Sequence, residues 1–220
     1  MPTDKIKSLC PKKMDRILKA AVQEFASHSF KDASFNKIIR EAGIGKGTLY
    51  YYFQSKSDLF LTITAGASRC LQKSIILPAS PKNGDEFWQQ LEGLLTQAYE
   101  FQQAEPWIAK FLYQLIITEE NQTNQNCKEY TAFKRWFADL ISTGQEVEAL
   151  RTDLPQGLLS AQLLGQLRSV IDWLLENDKK RSPRHKAQIT CELLARSSRM
   201  TSFLGHADPT HDQDDLAYCS

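Results

Sequence analysis

Apolar side chains recur at α-helical spacing along most of this chain, and that periodicity restricts the fold more than any other feature. Met14, Ile17, Leu18, Ala21, Val22 and Phe25 follow the i, i+3, i+4, i+7, i+8, i+11 pattern of a single helix face. Phe35, Ile38, Ile39 and Ala42 repeat it over a shorter stretch, with Ser34 placed to cap it. Ala42-Gly43-Ile44-Gly45 is a tight break, and Lys46 to Phe53 forms a third short helix. Ser55-Lys56-Ser57-Asp58 then reads as the cap of a fourth, carried by Leu59, Ile63, Ala67, Cys70 and Leu71 to about Ile75. Residues 78–85, PASPKNGD, read as a loop. Further helices are predicted near 86–103, 106–118, 124–150, 156–177 and 184–203, with Pro106 and Pro155 in first turns and Asp153 capping the helix after Pro155. No stretch alternates with period two for long enough to demand a strand. The fold class is therefore all-α: a compact unit of three short helices, then a bundle of longer ones. Boundaries follow at 1–56, 57–204 and 205–220, the last an acidic tail with few apolar residues, read as disordered.

The length of 220 residues suits one large domain or two small ones, and 42% hydrophobic with 24% charged residues is ordinary soluble composition. The net charge of +1 hides an asymmetry. Residues 1–60 hold eleven Lys/Arg against six Asp/Glu, so the rest of the chain is mildly acidic. A basic end on an acidic body points to an anionic partner for the N-terminal unit. No apolar run is long enough to span a membrane and no secretory signal is visible, so a cytoplasmic location is expected. Five single cysteines (Cys10, Cys70, Cys127, Cys191, Cys219) have neither disulfide-framework nor zinc spacing. No metal or cofactor is expected, and His206 and His211 read as part of a solvated tail.

Two short helices joined by a glycine-containing turn are the sequence form of a helix-turn-helix. Around the helix of GKGTLYYYF, Leu49 and Phe53 share the core side, with Tyr52 at its edge. Gly47, Thr48 and Tyr51 point away, flanked by Lys46 and Tyr50. Hydroxyls, an ammonium and a glycine permitting close approach suit phosphate oxygens and base edges. Three consecutive tyrosines, largely exposed, are a costly surface without a partner.

The stretch from Ala21 to Phe60, above all AGIGKGTLYYYFQSKSDLF from Ala42, resembles the DNA-binding domain of the TetR family of bacterial transcription regulators. The segment QEVEALRTDLPQGLLSAQLLGQLRSVIDWLLEN resembles, more weakly, the family's variable C-terminal domain. The resemblance implies a repressor-type regulator that binds a palindromic operator in double-stranded DNA as a homodimer. It implies a helix-turn-helix over Ser34 to Phe53. Lys46 and Gly47 would approach base edges, Tyr50 bases or sugars, and Thr48 either role. Tyr51, Tyr52, Lys56 and Ser34 would hold phosphates, and Gly45 would start the reading helix. Three positions depart from the family. Ser29 replaces the usual glycine, where a left-handed turn would cost about 1–2 kcal/mol. Ile39 replaces the usual alanine, so a wider helix spacing is expected. Gly45 replaces a capping serine, at a loss of about a few tenths of a kcal/mol.

In the body, most aromatic residues must pack the core, and some are expected to line an apolar cavity between helices; the resemblance implies that this cavity takes a small apolar or aromatic effector. Tyr99, Trp107, Phe111, Tyr113, Trp136 and Trp173 are the candidates. The dimer surface is expected at Leu158, Leu159, Leu163, Leu167, Val170, Ile171 and Leu174, with Ala187, Ile189, Cys191 and Leu194 of the last helix, because leucines occupy more than one face of residues 158–174. No nucleophile elbow, phosphate loop or HExxH is present, so the chain reads as a non-enzyme. The competing class is a helical small-molecule or partner-binding protein without operator function, which a mobility shift would separate from a regulator.

Overall fold

A computed structural model describes residues 11–117, 127–178 and 180–198. Among these, the regular elements are all helices: α1 (Pro11–Ser27), α2 (Phe35–Glu41), α3 (Lys46–Tyr52), α4 (Lys56–Ser74), α5 (Gly84–Ala104), α6 (Pro106–Ile117), α7 (Lys128–Glu146), α8 (Gln156–Asn177) and α9 (Pro183–Ser198). The expected tail at 205–220, with its two histidines, lies outside the described residues. No described helix is long and apolar enough to cross a membrane.

Local chemistry sets the element ends. The Ser34 Oγ accepts the Lys37 N–H at 3.2 Å and starts α2. That helix stops because Gly43 adopts φ +60°, which turns the Gly43 N–H onto Arg40 O (3.1 Å) and the Ile44 N–H onto Ile39 O (3.2 Å). This is a Schellman closure, and glycine enters it without a Cβ clash. Ser55 caps α4 by accepting the Asp58 N–H at 3.1 Å, while the Asp58 carboxylate accepts the Gln54 N–H. Asn83 caps α5, which starts two residues earlier than the loop PASPKNGD suggested. Asp153 does not cap α8: its carboxylate is taken by the Arg151 guanidinium, with Nε at 2.7 Å.

Ser29 avoids the left-handed turn expected of it, since Glu148 is the only non-glycine with positive φ among the described residues. Its hydroxyl donates to Asp32 Oδ2 at 2.6 Å and its carbonyl accepts the Ala33 N–H at 2.9 Å. A side-chain cap thus replaces the glycine conformation. Ile39 lies half-buried at the rim of the core.

The largest core is continuous across the boundary expected at residue 56. Ile17, Ala21, Phe25, Ile38, Leu49 and Phe53 pack with Leu59, Phe60 and Ile63 of α4, and with Phe111, Leu112 and Leu115 of α6. A second core gathers Phe87, Ile141, Leu150, Leu159, Leu163 and Leu194 from the distal helices. A third joins Tyr99, Leu174 and Ala187.

One buried acid holds the N-terminal unit together. The Glu24 carboxylate, only 5% exposed, accepts the Ser34 N–H at 2.9 Å and the Lys37 ammonium at 2.8 Å, with His28 Nδ1 at 3.4 Å. Burial opposes its ionisation, but the hydrogen bonds from Lys37 and Ser34 and the nearby His28 outweigh that and leave the carboxyl below its ordinary value of 4.5. A lowered folded-state value stabilises the fold above 4.5, and this stabilisation disappears as pH falls through the lowered value. Glu24→Gln is expected to destabilise the protein by about 1–3 kcal/mol at neutral pH. In thermal melts the gap between wild type and variant should narrow below pH 4.5; a gap independent of pH would show that the carboxylate charge contributes nothing.

Candidate nucleic-acid interface and effector cavity

The face of α3 divides cleanly. Leu49 and Phe53 are fully buried against α1 and α4 residues of the first core. Tyr50 and Tyr51 are 47% and 55% exposed, Lys46 and Gly47 are exposed, and Thr48 and Tyr52 are half-buried. Tyr50 is held rather than splayed: its ring meets Phe35 edge-on at 5.2 Å and lies 5.9 Å from the Lys46 ammonium. Tyr51 and Tyr52 stack edge to face at 4.9 Å. A Cβ at Gly47 would meet nothing within 4 Å. Nothing inside the described chain therefore asks for glycine there, although it costs the helix about 1 kcal/mol relative to alanine. At Gly45 the N-cap offers no side-chain hydrogen bond, and the first turn is closed by the Thr48 N–H on Gly45 O at 2.9 Å.

Lys56 has a different occupation from the phosphate contact expected for it. Its Nζ donates to Lys31 O at 2.9 Å and Ala33 O at 3.0 Å, and lies 4.9 Å over the Phe30 ring. Two of its three donors are thus spent on the loop that delivers Ser34 to the start of α2. An ordinary lysine in a cap sequence gives no sign of a partner 23 residues away.

Residues 17–63 match the family profile described as "Bacterial regulatory proteins, tetR family". The N-terminal stretch of the chain is thus similar to the DNA-binding segment of TetR-family regulators. Among curated relatives, the HTH-type transcriptional repressor SCO4008 of Streptomyces coelicolor is 29% identical over 98 residues, covering 44% of this chain and 46% of that protein. The chain aligns with half or less of the length of its curated relatives. A TetR-family regulator from Chloroflexus aurantiacus shares the fold with TM-score 0.68 at 22% identity, over 91% of this chain and all of that one. FadR of Bacillus subtilis, solved in complex with stearoyl-CoA, shares it with TM-score 0.60 at 17% identity, over 83% of this chain and 97% of that one.

A cavity of about 880 Å³ lies between the first and second cores. Its walls come from α4 to α9 and from Ile75 and Leu77 of the strap after α4, and they are overwhelmingly aliphatic and aromatic. The strap is pinned to α5, where Gln97 Oε1 accepts the Ile76 N–H at 2.7 Å.

Of the six expected ligand residues, only Trp136 lines this cavity. Phe111 is buried in the first core, 5.6 Å from Phe60 and 6.5 Å from Phe25. The Tyr99 hydroxyl is buried in a 2.9 Å hydrogen bond with Thr190 Oγ1. Tyr113 donates to Asp172 Oδ1 at 2.7 Å, and its phenol is pushed upward by burial and by that carboxylate. Trp107 and Trp173 face outward, 44% and 58% exposed. The lining residues missed from sequence are mostly leucines of α5 and the aromatics Phe87, Trp88, Phe133 and Phe137. Helical spacing places them on inner faces, yet it does not distinguish a packed face from a hollow one.

Most of the residues expected at the dimer surface are covered within the chain. Leu159, Leu163, Leu174, Cys191 and Leu194 are buried within the chain itself, while Leu167, Val170 and Ile171 are half-buried. The outward stripe of α8 keeps Leu158 of the expected set and otherwise consists of Ala161, Gly165, Ser169 and Trp173, all exposed. Cys127 and Cys191 are buried free thiols; burial raises both, Cys191 to about 12, which keeps them protonated and unreactive.

If the Lys56 ammonium fastens the Lys31–Ala33 loop, Lys56→Met should destabilise the protein by about 1.5–3 kcal/mol, as loss of a charge-assisted hydrogen bond does. Urea unfolding followed by circular dichroism measures this, and an unchanged midpoint would mean that the ammonium is solvated.

Proposed function

We propose that this protein is a transcription regulator that reads a palindromic operator as a homodimer, and that a small apolar effector filling the cavity releases it from DNA. In this reading it acts as a repressor. The observation that carries it is the outward surface of α3, where Lys46, Gly47, Tyr50 and Tyr51 are exposed on a helix anchored by Leu49 and Phe53. Lys46 and Gly47 reach base edges, Tyr50 reaches bases or sugars, and Thr48 serves either role. Ser34 holds a phosphate at the start of α2, where free N–H groups favour an anion, and Tyr51 and Tyr52 hold phosphates from the last turn of α3. Lys56 acts from behind, as a positioning residue. The name of the Streptomyces relative supports repression. The stearoyl-CoA complex of Bacillus subtilis FadR and the apolar walls of the cavity support a lipophilic effector.

The outward stripe of α8 supports dimerisation. Leu158 and Trp173 flank the small residues Ala161, Gly165 and Ser169, so a symmetry-related helix can approach closely while the two large side chains bury their apolar surface. Leu167, Val170 and Ile171 lie beside it. The cavity and the reading surface are joined by α4, whose first half packs in the first core and whose Ser68, Leu71 and Gln72 line the cavity.

Selection of bound genomic fragments is expected to return an inverted repeat whose half-sites match reading helices roughly 34–36 Å apart, or a multiple of that. On that site Lys46→Ala should reduce the salt slope of binding by about one and relax preference at one base position, whereas Lys56→Met should leave the slope unchanged. No enriched sequence would favour the competing class of a ligand- or partner-binding protein. Trp173→Glu should yield folded monomers in sedimentation, because it places a charge in the α8 contact. An intact Trp173→Glu dimer would move the interface away from this stripe.

A further inference from the structure

The cavity has a polar side and a closed, apolar end. Its exposed lining residues Gln72, Leu77, Lys128, Ala132 and Trp136 belong to the end of α4, the strap after it and the outer side of α7. The charged lining residues, Lys128 and Glu129, lie on that side too. At the other end the lining residues Phe87, Ile141, Leu150, Leu163 and Leu194 are at most 7% exposed and contribute no polar side chain. A charged or hydrogen-bonding group pushed to that end would lose its water and gain no partner. The ligand part that reaches it must therefore be hydrocarbon.

Gly144 sits behind this closed end. A Cβ there would lie 2.6 Å from Leu150 Cδ1, 2.8 Å from Leu150 Cγ and 2.8 Å from Phe87 Cζ. Those separations are too short for real atoms, so Leu150 or Phe87 would have to move. The Leu150 backbone has little freedom: its N–H bonds Gly144 O at 2.9 Å, and the next N–H, of Arg151, bonds Ser198 O at 2.8 Å. Side-chain rotation remains, and the open space beside both side chains is the cavity they line. The missing methyl at Gly144 therefore keeps Leu150 and Phe87 withdrawn.

We propose that Gly144 sets the depth of the cavity, and with it the longest unbranched hydrocarbon tail that the site accepts from an amphiphile whose polar end stays on the Lys128 side. This rests on the cavity being the effector site proposed above. Volume agrees, since about 880 Å³ lies in the upper part of the usual range for sites that enclose a drug-sized molecule.

The test uses the full-length protein and saturated fatty acids of increasing length, measured by displacement of a fluorescent fatty acid. In wild type, affinity should rise about fourfold per methylene and then stop at a cutoff length. Gly144→Ala should move the cutoff to shorter chains and leave affinity for the shortest binders within about twofold, because only the far end of the tail reaches the displaced side chains. Leu150→Ala should move the cutoff to longer chains. Combining the two substitutions should undo part of the shortening, since Leu150 is gone as a clash partner while Phe87 remains. A cutoff that ignores all three variants overturns the role of Gly144 while leaving the effector site standing. A uniform loss across all lengths in Gly144→Ala, with Leu150→Ala unchanged from wild type, overturns it as well. Failure of wild type to bind any chain length overturns the lipophilic-effector reading itself, independently of DNA binding.

Discussion

Phe25 of α1, Phe60 of α4 and Phe111 of α6 meet with ring centroids 5.2 to 6.5 Å apart, two of the pairs edge to face, and Phe30 closes onto Phe60 at 5.1 Å. The core beneath α3 is built around this contact. A three-helix unit of some 50 residues buries too little surface to be robust on its own. Here its core is completed by α4 and α6, so Phe111 brings material from the body into the N-terminal unit. The aromatic cluster also fixes Phe30, over which the Lys56 ammonium rests, and Lys56 in turn fastens the carbonyls before α2. Glu24 fastens the same place from α1. Two charged groups from different helices converge on one short loop, so the angle of α2 against α1 is held by directional bonds as well as packing.

This explains what was legible in the sequence and what was not. The reading unit could be drawn closely from residue order because its determinants are local: Ser34 and Ser55 cap helices three residues ahead, Gly43 makes a turn only glycine makes easily, and Leu49 and Phe53 lie one helical turn apart. The long-range partners were invisible. An apolar stripe states that a face is buried and leaves its neighbour open. Phe111 therefore looked equally fit for a pocket or a core, and Tyr99, whose partner Thr190 is 91 residues away, looked like a ligand contact. Trp173 is exposed and several leucines of α8 are buried, the reverse of the expectation, for a related reason. A helix apolar on two sides has a core face and a surface face, and composition alone does not rank them. Ser29 and Asp153 show the opposite limit, where a local pattern had two chemical solutions and a neighbouring Asp32 or Arg151 selected one.

The ends of α2 and α7 show one constraint resolved in two ways. At α2 the left-handed residue is Gly43, which carries no penalty and lets the chain reverse between the two helices of the motif. At α7 the left-handed residue is Glu148, at φ 57°, which carries a side chain, and the glycine stands four positions earlier at Gly144. The conformational cost at Glu148 is accepted while space is kept at Gly144, where Phe87 and Leu150 press in from two sides. The second glycine serves packing rather than backbone conformation.

Under the proposed function, α4 has to convert occupancy of the cavity into a change at the reading surface. Leu59, Phe60 and Ile63 bury one part of it in the core of the reading unit, and Ser68, Leu71 and Gln72 expose the next part to the cavity. Leu71 belongs to both, packing on the first core and lining the void. A helix without a break transmits rotation rather than absorbing it, and two reading helices must match their half-sites together. An effector shifts this balance only by the difference in its affinity for the two arrangements, typically about 1–3 kcal/mol, or roughly 5- to 150-fold in DNA affinity. The apolar far end of the cavity can supply part of that difference only if its shape changes when α4 moves. Its walls at Phe87, Ile141 and Leu163 come from α5, α7 and α8, and none is carried by α4. The differential contacts must then arise at the α4 side and at the strap, where Ile75 and Leu77 follow the helix end. Depth at Gly144 would select which molecule binds, and contacts near Leu71 and Leu77 would decide whether binding is felt at the DNA.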